Sequence, residues 1–184
     1  MRKQQESELW RTGDKQATFY QDALERAKQR EARLAPLVHV IKPEIMPWEE
    51  CVHGKLKHVI NDQMPVLSKN IDAYIQEIPA NGHSGKHRHM AEEVVFVLEG
   101  KGYDLHWDVE MRLTEKYEWD IASEPRQFEW EAGDLICIPV NTVHQHFNND
   151  PECSARIISM TNNLYKFLDL EDLEQLESAS ETTP

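Results

Sequence analysis

The sequence is poor in cysteine, and its cysteines show no pairing pattern. Cys51, Cys137 and Cys153 are odd in number, and no two of them are spaced as CxxC. This argues against a disulfide framework and against a zinc ribbon. Because Cys137 lies inside the apolar run 135–138, we expect it to be a small buried side chain rather than a nucleophile.

Long apolar runs and a basic excess are absent as well. No stretch of about 18 apolar residues could cross a membrane, and the opening MRKQQESELW has no apolar core of the kind that a secretory signal needs. We therefore expect a cytoplasmic protein. Its net charge of −13 makes it a poor partner for nucleic acid or an anionic membrane, so we expect a small-molecule substrate and neither of those partners.

What is present predicts an all-β fold with a helix before it. Ala17, Tyr20 and Leu24 recur at helical spacing and predict one amphipathic helix from Lys15 to Leu34. About ten short segments of β-type composition follow, separated by glycine and proline turns, which is typical of a barrel or jelly roll. The stretch 112–123 shows no clear strand alternation and is predicted to be a loop.

These patterns divide the chain into three parts. We expect an N-terminal helical segment over residues 1–36 and a β-barrel over residues 37–168. Residues 169–184 are predicted to form a short acidic tail that is partly disordered, and the leucines at its start predict a short helix over 168–176.

The segment GHSGKHRHMAEEVVFVLEG (residues 82–100) has the strongest chemical signal. Side chains alternate along a strand, so His87 and His89 share one face and Arg88 lies on the other. Glu93 then opens a β-branched run that predicts the next strand. Two imidazoles and a carboxylate on adjacent strands can occupy one face of a first-row transition metal and leave other positions open, as in oxygen-activating non-haem iron sites.

A second segment, GDLICIPVNTVHQHFNN (residues 133–149), supplies a fourth candidate ligand, His144. Together the two segments resemble the two signatures of the cupin superfamily, G(x)5HxH(x)3-4E(x)6G and G(x)5PxG(x)2H(x)3N. The first departs at its leading glycine, because four residues rather than five separate Gly82 from His87. The second has Asn141 where glycine is usual, and asparagine tolerates the left-handed backbone conformation well.

The resemblance implies a cupin double-stranded β-helix over residues 70–162, with one barrel per chain and a homodimer as the assembly. One divalent transition metal per chain is expected. Fe(II) is our first choice and Mn(II) the second, and Ni(II) or Zn(II) would also suit the site. The expected metal ligands are His87, His89, Glu93 and His144.

A narrower resemblance concerns the run HSGKHRHMAEEVVFVLEGKGYDLHWD, which is similar to the catalytic half of gentisate-type ring-cleaving dioxygenases. It implies an Fe(II) dioxygenase acting on a small aromatic or hydroxy/oxo-acid. One alternative is a non-redox lyase or isomerase in which the metal acts as a Lewis acid. A further alternative is a cupin that binds metal or ligand without turnover.

Several residues outside the ligand set are candidates for contact with a substrate. His146 has the strand parity of His144, and together with Tyr74 and Tyr103 it is a candidate catalytic acid or base, with a structural histidine as the alternative for His146. Arg126 and Arg156 are candidate anchors for an anionic substrate. The aromatic residues between the two signatures predict either a pocket wall or a core and dimer interface: Tyr103, Trp107, Tyr117, Trp119, Phe128 and Trp130.

Overall fold

Strands dominate the structure, a computed structural model that describes residue 13 and residues 15–180. In chain order the strands are β1 (Trp48–Cys51), β2 (Gly54–Ile60), β3 (Ile71–Ile78), β4 (Lys86–Arg88), β5 (Glu93–Glu99), β6 (Lys101–Trp107), β7 (Val109–Leu113), β8 (Tyr117–Ile121), β9 (Arg126–Glu131), β10 (Leu135–Ile138), β11 (Val143–Asn148), β12 (Ala155–Asn162) and β13 (Glu174–Glu177). A short 3₁₀ helix at Pro43–Ile45 precedes them.

The strands form two large antiparallel sheets and one hairpin. The six-stranded sheet has the order β1-β2-β3-β12-β5-β10, and the five-stranded sheet has the order β13-β4-β11-β6-β9. Trp130 of the second sheet packs with the core of the first, so the sheets enclose one interior. The prediction of an all-β jelly-roll barrel is confirmed.

The buried side chains change from polar to aliphatic along the strands. On β5 the buried residues alternate as Glu93, Val95 and Val97, because successive side chains of a strand point to opposite faces. On the neighbouring β12, Ile157 pairs with Val97 and Ser159 pairs with Val95. One end of the barrel is therefore filled with aliphatic side chains, and polar groups from the same strands lie inside the other end.

The N-terminal helical region differs from the single helix that the periodicity predicts. It contains α1 (Phe19–Lys28) and α2 (Arg30–Leu34), separated at Gln29, where ψ is 7° rather than helical. By its contacts the described part of the chain divides into two compact units, one ending at Leu37 and the other beginning at Val38. None of the helices in the described part of the chain is long and apolar enough to span a membrane.

The stretch that was predicted to be a loop, 112–123, belongs instead to a two-stranded hairpin of β7 and β8. Met111 pairs with Trp119 and Leu113 pairs with Tyr117. The residues between them are charged, so apolar and charged positions do alternate across the hairpin. A segment with charged residues at alternate positions resembles a loop when it is considered without its partner strand.

The end of the barrel also differs from expectation. A short helix, α3 (Leu164–Phe167), ends before the predicted helical region 168–176, and β13 then joins the edge of the five-stranded sheet. The backbone beyond it is held as well, since Ala179 N–H donates to Val52 O and Ser180 N–H donates to His83 O. The last four residues of the predicted tail, 181–184, lie outside the described residues.

Cys137 corrects another expectation, because it is exposed rather than buried. Its strand β10 is an outer strand of the six-stranded sheet, and Leu135 beside it is also exposed. Alternation places Ile136 and Ile138 towards the core instead. The strand therefore buries only one of its two faces. The homodimer that the resemblance implies stays a prediction.

Candidate metal centre

Four predicted ligands meet at the polar end of the barrel. His87 lies on β4 opposite His144 on β11, His89 follows β4, and Glu93 begins β5. One donor atom from each lies within 4.8 Å of the others, and all four side chains are buried. We call His87, His89, Glu93 and His144 the four-ligand cluster.

Backbone carbonyls determine which nitrogen of two histidines is free to bind a metal. A carbonyl oxygen can only accept, so Nδ1–H of His89 donates to Ala91 O at 2.9 Å and Nδ1–H of His144 donates to Thr142 O at 2.9 Å. Their Nε2 atoms lie 2.9 Å and 3.1 Å from Oε2 of Glu93. If both imidazoles are neutral, three lone pairs converge with no proton between them, which is the arrangement that a cation satisfies.

Electrostatics separate the two histidines, because burial lowers the pKa of His144, whereas at His89 the hydrogen bond and charge of Glu93 outweigh burial and raise the pKa. Burial acts to raise the pKa of Glu93, but the hydrogen bonds and charges of His144 and His89 outweigh it and hold this pKa well below its usual range. Burial, with His144 next to it, lowers the pKa of His87 well below its ordinary value. The cluster therefore presents an ionised carboxylate and a neutral imidazole, the protonation states that metal binding requires.

Ser159 holds the carboxylate in place. It is buried on β12, and its hydroxyl donates to Oε1 of Glu93, the oxygen that the two histidines leave free. The second oxygen is thereby kept towards the imidazoles. Neither cupin signature contains this serine, and only its strand parity with Ile157 indicated that it faces the interior.

Arg88, on the other face of β4, binds neighbouring segments of the chain. As predicted, it points away from the cluster, and its buried guanidinium donates to Asp172 at 2.7 Å, to Glu174 at 2.8 Å and to Asn141 at 2.9 Å. Asn141 itself has a φ of 59°, the left-handed conformation for which the signature usually employs glycine. These contacts tie β13 and the β10–β11 turn to the strand that holds His87.

A cavity of about 450 Å³ opens beside the cluster. Its lining contains three of the four ligands, and no lysine or arginine belongs to it among the described residues. Glu49, Asp72 and Glu171 lie in its wall. The remaining wall is mostly uncharged, and it is formed by Cys51, Val52, His53, Leu56, His58, Ile60, Asn61, Ala73, Tyr74, Ala91, Thr161, Leu173 and Gln175.

The family of the chain follows from comparison with known proteins. The family profile described as "Auxin binding protein" matches residues 33–173, most of the chain. This chain belongs to the auxin-binding protein family. The cupin superfamily that the two signatures indicated is confirmed with it.

The relatives and structural neighbours of this auxin-binding family member are distant. It is 29% identical to auxin-binding protein T85 of Nicotiana tabacum over 114 residues, an alignment that covers 61% of this chain and 56% of the tobacco protein. Oxalate decarboxylase of Lactobacillus farciminis superposes with a TM-score of 0.50 at 20% identity, over 74% of this chain and 33% of that one. The polyketide cyclase RemF of Streptomyces resistomycificus gives 0.51 at 16%, over 76% and 86%. These two likenesses concern the fold.

Among the predicted acid–base candidates of this auxin-binding family protein, Tyr74 lies in the cavity wall. Its hydroxyl shares a hydrogen bond of 3.2 Å with Nε2 of His53. Burial, with the charge of Glu93, raises the pKa of Tyr74 far above its ordinary value, so its hydroxyl stays protonated. Burial, reinforced by His146, lowers the pKa of His53 to about 3. Sequence reasoning missed His53, which precedes the first signature and has no motif of its own.

His146 is buried beneath the cluster in a different group. Its Nδ1 lies 2.8 Å from Oδ1 of Asp104, which also accepts from Nε1–H of Trp130 at 2.7 Å. Nε2 of His106 is 3.5 Å from the other Asp104 oxygen, within ion-pair reach but outside hydrogen-bond geometry. We call Asp104, His106, Trp130 and His146 the Asp104 network. His146 is absent from the cavity lining, so a catalytic role for it stays a prediction.

Tyr103 does not join the site. It stacks on Phe147 with ring centroids 4.8 Å apart, on the face of the sheet opposite to Asp104 and His146. Side-chain alternation along β6 explains this placement, because Asp104 occupies the inward position next to it. The geometry therefore removes Tyr103 from the candidate acid–base groups.

The remaining predicted contacts also lie elsewhere. Arg126 pairs with Asp108 and Arg156 lies near Glu77 and Glu99, all at the surface. None of the aromatic residues between the two signatures lines the cavity, so the core alternative holds for Trp107 and Trp130, which are both buried. An anionic ligand in the cavity therefore meets no lysine or arginine of the described residues.

Proposed function

We propose that this protein binds a small organic acid in the cavity, with the carboxylate of the acid directed at a divalent metal held by the four-ligand cluster. One observation carries the proposal. A buried set of three imidazoles and one carboxylate meets a cavity of about 450 Å³ that, among the described residues, no lysine or arginine lines.

Charge determines which end of the cavity an acid would use. Glu49, Asp72 and Glu171 make the wall acidic, and Glu93 adds to this at the cluster. An acid would be repelled by these groups alone. A bound divalent ion supplies the positive charge that attracts the carboxylate. His87, His89 and His144 contribute neutral nitrogen donors, so that charge is only partly neutralised by the protein.

The rest of the cavity suits an apolar body. Leu56, Ile60, Ala73 and Leu173 line it, and its volume lies within the range of about 300–1,000 Å³ that is usual for small-molecule sites. An aromatic or aliphatic acid would bury its body against these side chains, and its carboxylate would lie at the cluster. Burial of the apolar surface would contribute affinity at about 25 cal/mol per Å² before the cost of ordering the ligand.

The name of the relatives supports an auxin as the acid. T85 is called an auxin-binding protein, and the family profile has the same description. This chain spans only 56% of the length of T85, so we carry the ligand over as a proposal. It agrees with the third alternative from the sequence, a cupin that binds its ligand without turnover.

A second candidate is the predicted Fe(II) dioxygenase acting on a small aromatic or hydroxy/oxo-acid. The observation that favours it is the ligand set itself, because four protein ligands leave two positions of an octahedral ion, enough for an acid and dioxygen. The same cavity serves either activity. The proposals differ in whether the acid is released unchanged.

The experiment measures metal and acid binding on one preparation. Purified protein would be stripped with a chelator, reloaded with zinc, manganese or ferrous iron, and analysed for metal content. Titration calorimetry with indole-3-acetate, benzoate and oxalate would follow. We expect about one metal per chain and binding of an aromatic acid only to the loaded protein, because the protein alone presents negative charge.

Two controls identify the site and separate the candidates. A His87→Ala/His144→Ala variant should lose both metal and acid binding. Oxygen uptake by the iron-loaded protein with gentisate or indole-3-acetate would establish the dioxygenase, whereas recovery of the acid unchanged supports binding alone. Equal acid affinity of the stripped and loaded proteins contradicts the proposal.

A further inference from the structure

Among the described cavity residues outside the four-ligand cluster, His53 alone combines deep burial, contact with a ligand histidine and an unpaired ring nitrogen. It follows β1 in the turn to β2 and is 8% exposed. Its ring lies edge-on to that of His87, with centroids 4.3 Å apart and planes at 75°. Its ring therefore reaches the metal end of the cavity although it lies outside both signatures.

The backbone of His53 is anchored by two hydrogen bonds to its carbonyl oxygen. Its carbonyl oxygen accepts from Nε2–H of Gln76 at 2.7 Å and from the backbone N–H of Gly85 at 3.1 Å. Gln76 is itself buried on β3. The turn is thus fastened to the interior of one sheet and to the segment before β4.

The ring of His53 has only one of its two nitrogens paired. Nε2 shares its hydrogen bond with Tyr74, and Nδ1 has no partner among the described residues. A neutral imidazole has one donor and one acceptor, so whichever group donates in that bond, one function remains unused. Buried polar atoms without partners are uncommon, and this one belongs to a residue of the cavity wall, which makes His53 a candidate for contact with a ligand.

A purely structural histidine in this barrel looks different. His83 has its Nδ1 near both Ser84 O and the Gln145 side chain, and it is not part of the cavity lining. His58 does line the cavity, but Glu49 already occupies its Nε2 at 2.6 Å. His53 alone of these three combines a place in the lining, contact with His87 and a nitrogen left over.

The geometry points to His53 as a specificity-determining residue that hydrogen-bonds an oxygen of the acid held at the cluster, with Tyr74 fixing the ring for that contact. This inference rests on the proposed function, because it presumes that an acid reaches His87. Acids with an oxygen beside the metal-bound atom are favoured, whether it is the second carboxylate oxygen or an adjacent hydroxyl. An anion without such an oxygen gains nothing from His53.

Calorimetry on zinc-loaded protein tests this role with three variants. His53→Leu should bind indole-3-acetate about 10- to 100-fold more weakly, the range expected for one hydrogen bond to a charged group. Tyr74→Phe should weaken binding by about 3- to 10-fold, because His53 remains but is held less firmly. His53→Gln can restore a donor or acceptor and should recover part of the lost affinity. Zinc content should stay near one per chain in all three.

Matched controls remove similar groups elsewhere on the barrel. His39→Gln changes an exposed histidine, and Tyr117→Phe removes a hydroxyl from the β7–β8 hairpin, so both should bind the acid as the wild type does. Thermal unfolding midpoints would show that each variant is folded.

Each outcome bears on a different claim. Unchanged acid affinity in His53→Leu overturns the role of His53 and leaves the proposed function standing. Zinc lost from His53→Leu also overturns it, because the residue would then support the metal rather than the acid. A zinc-loaded wild type that binds none of the acids overturns the proposed function, and this inference with it.

Discussion

Two groups of buried histidines lie side by side in this barrel, and only one is suited to bind a metal. The four-ligand cluster and the Asp104 network share strand β11, which supplies His144 to the first and His146 to the second. Both histidines are fully buried, and each lies close to a buried carboxylate. Residue type and burial therefore do not separate a metal site from an internal ion pair.

The difference lies in what occupies Nδ1. In the cluster, carbonyl oxygens of Ala91 and Thr142 accept the Nδ1 protons, so the Nε2 lone pairs of His89 and His144 converge on Glu93. In the network, Nδ1 of His146 faces Asp104 directly and the two form an ion pair, although Nε2 of His146 and Oδ2 of Asp104 have no hydrogen-bond partner among the described residues. The first arrangement leaves charge to be supplied from outside, whereas the second is already balanced within the protein.

The largest effect is expected from the cluster. A His87→Ala/His144→Ala variant removes two of four donors. Structural zinc sites in zinc-finger peptides bind with about 10–16 kcal/mol, so by that scale the variant should lose about 5 kcal/mol or more of metal-binding free energy. Metal content measured after gel filtration should fall from about one to below about 0.1 per chain. If the variant still binds about one metal per chain, the metal site lies elsewhere, and the proposed difference between the four-ligand cluster and the Asp104 network is wrong.

The next largest effect is expected on the stability of the fold rather than on metal binding. Asp104→Asn removes the charge opposite His146 but keeps the shape, and breaking a buried ion pair on one side costs about 3 kcal/mol. The melting temperature should drop by about 6–12 °C for a chain of this size. Zinc affinity should stay within about threefold of wild type. A variant that loses zinc as readily as it loses stability would show that the network and the cluster act as one unit.

Acid titration of the same pair sharpens this prediction. Burial opposes ionisation of Asp104, but His146 and the hydrogen bonds outweigh it and hold its pKa well below the usual range. A carboxylate with a lowered folded-state pKa stabilises the fold fully above its unfolded value of about 3.9 and loses this contribution as pH falls. Burial acts to lower the pKa of His146, but the charge and hydrogen bond of Asp104 outweigh it and raise this pKa, so His146 stabilises the fold below its unfolded value of about 6.5 and loses this contribution as pH rises. The difference in unfolding free energy between wild type and Asp104→Asn, measured in urea without metal, should therefore grow from about pH 8 to about pH 5, a range in which Asp104 stays ionised. A constant difference would contradict it.

A smaller effect should follow from Ser159→Ala. The Ser159 hydroxyl donates to Glu93, and loss of such an outer contact weakens metal affinity by about 10- to 100-fold. The melting temperature of the metal-free protein should change by only a few degrees, about 2–4 °C per kcal/mol. Ser159→Thr keeps the hydroxyl and serves as the matched control. Equal zinc affinity in all three proteins would remove Ser159 from the description of the site.

The smallest effect is expected from Arg126→Ala, outside both groups. Arg126 and Asp108 are exposed by 61% and 65%, and exposed pairs contribute about 0–1 kcal/mol. Acid affinity should remain within about twofold of wild type in calorimetry, since no lysine or arginine lines the cavity among the described residues. A large loss of acid binding would restore Arg126 as the anion anchor that the sequence suggested.

The sequence predicts a structural feature well when the residues that determine it are close together in the chain. The pair His87 and His89 could be placed on one face because strand alternation is local. The β7–β8 hairpin was missed because its charged positions hide the alternation of Met111 with Leu113 until the partner strand is present. β13 was missed because its place in the sheet depends on pairing with β4 and on the Arg88 ion pairs with Asp172 and Glu174, contacts between residues far apart in the chain.

The sequence by itself determined the fold class and the four candidate ligands, because both follow from local alternation and from two motifs with defined spacing. Only the tertiary structure decided which other polar groups serve that set. Ser159 reaches Glu93 across 66 residues, His53 meets His87 through a turn outside either motif, and Tyr103 faces away. The physical reason is that a buried polar group acquires its role from the partners that folding places around it, and those partners are chosen by strand pairing rather than by neighbours in the chain.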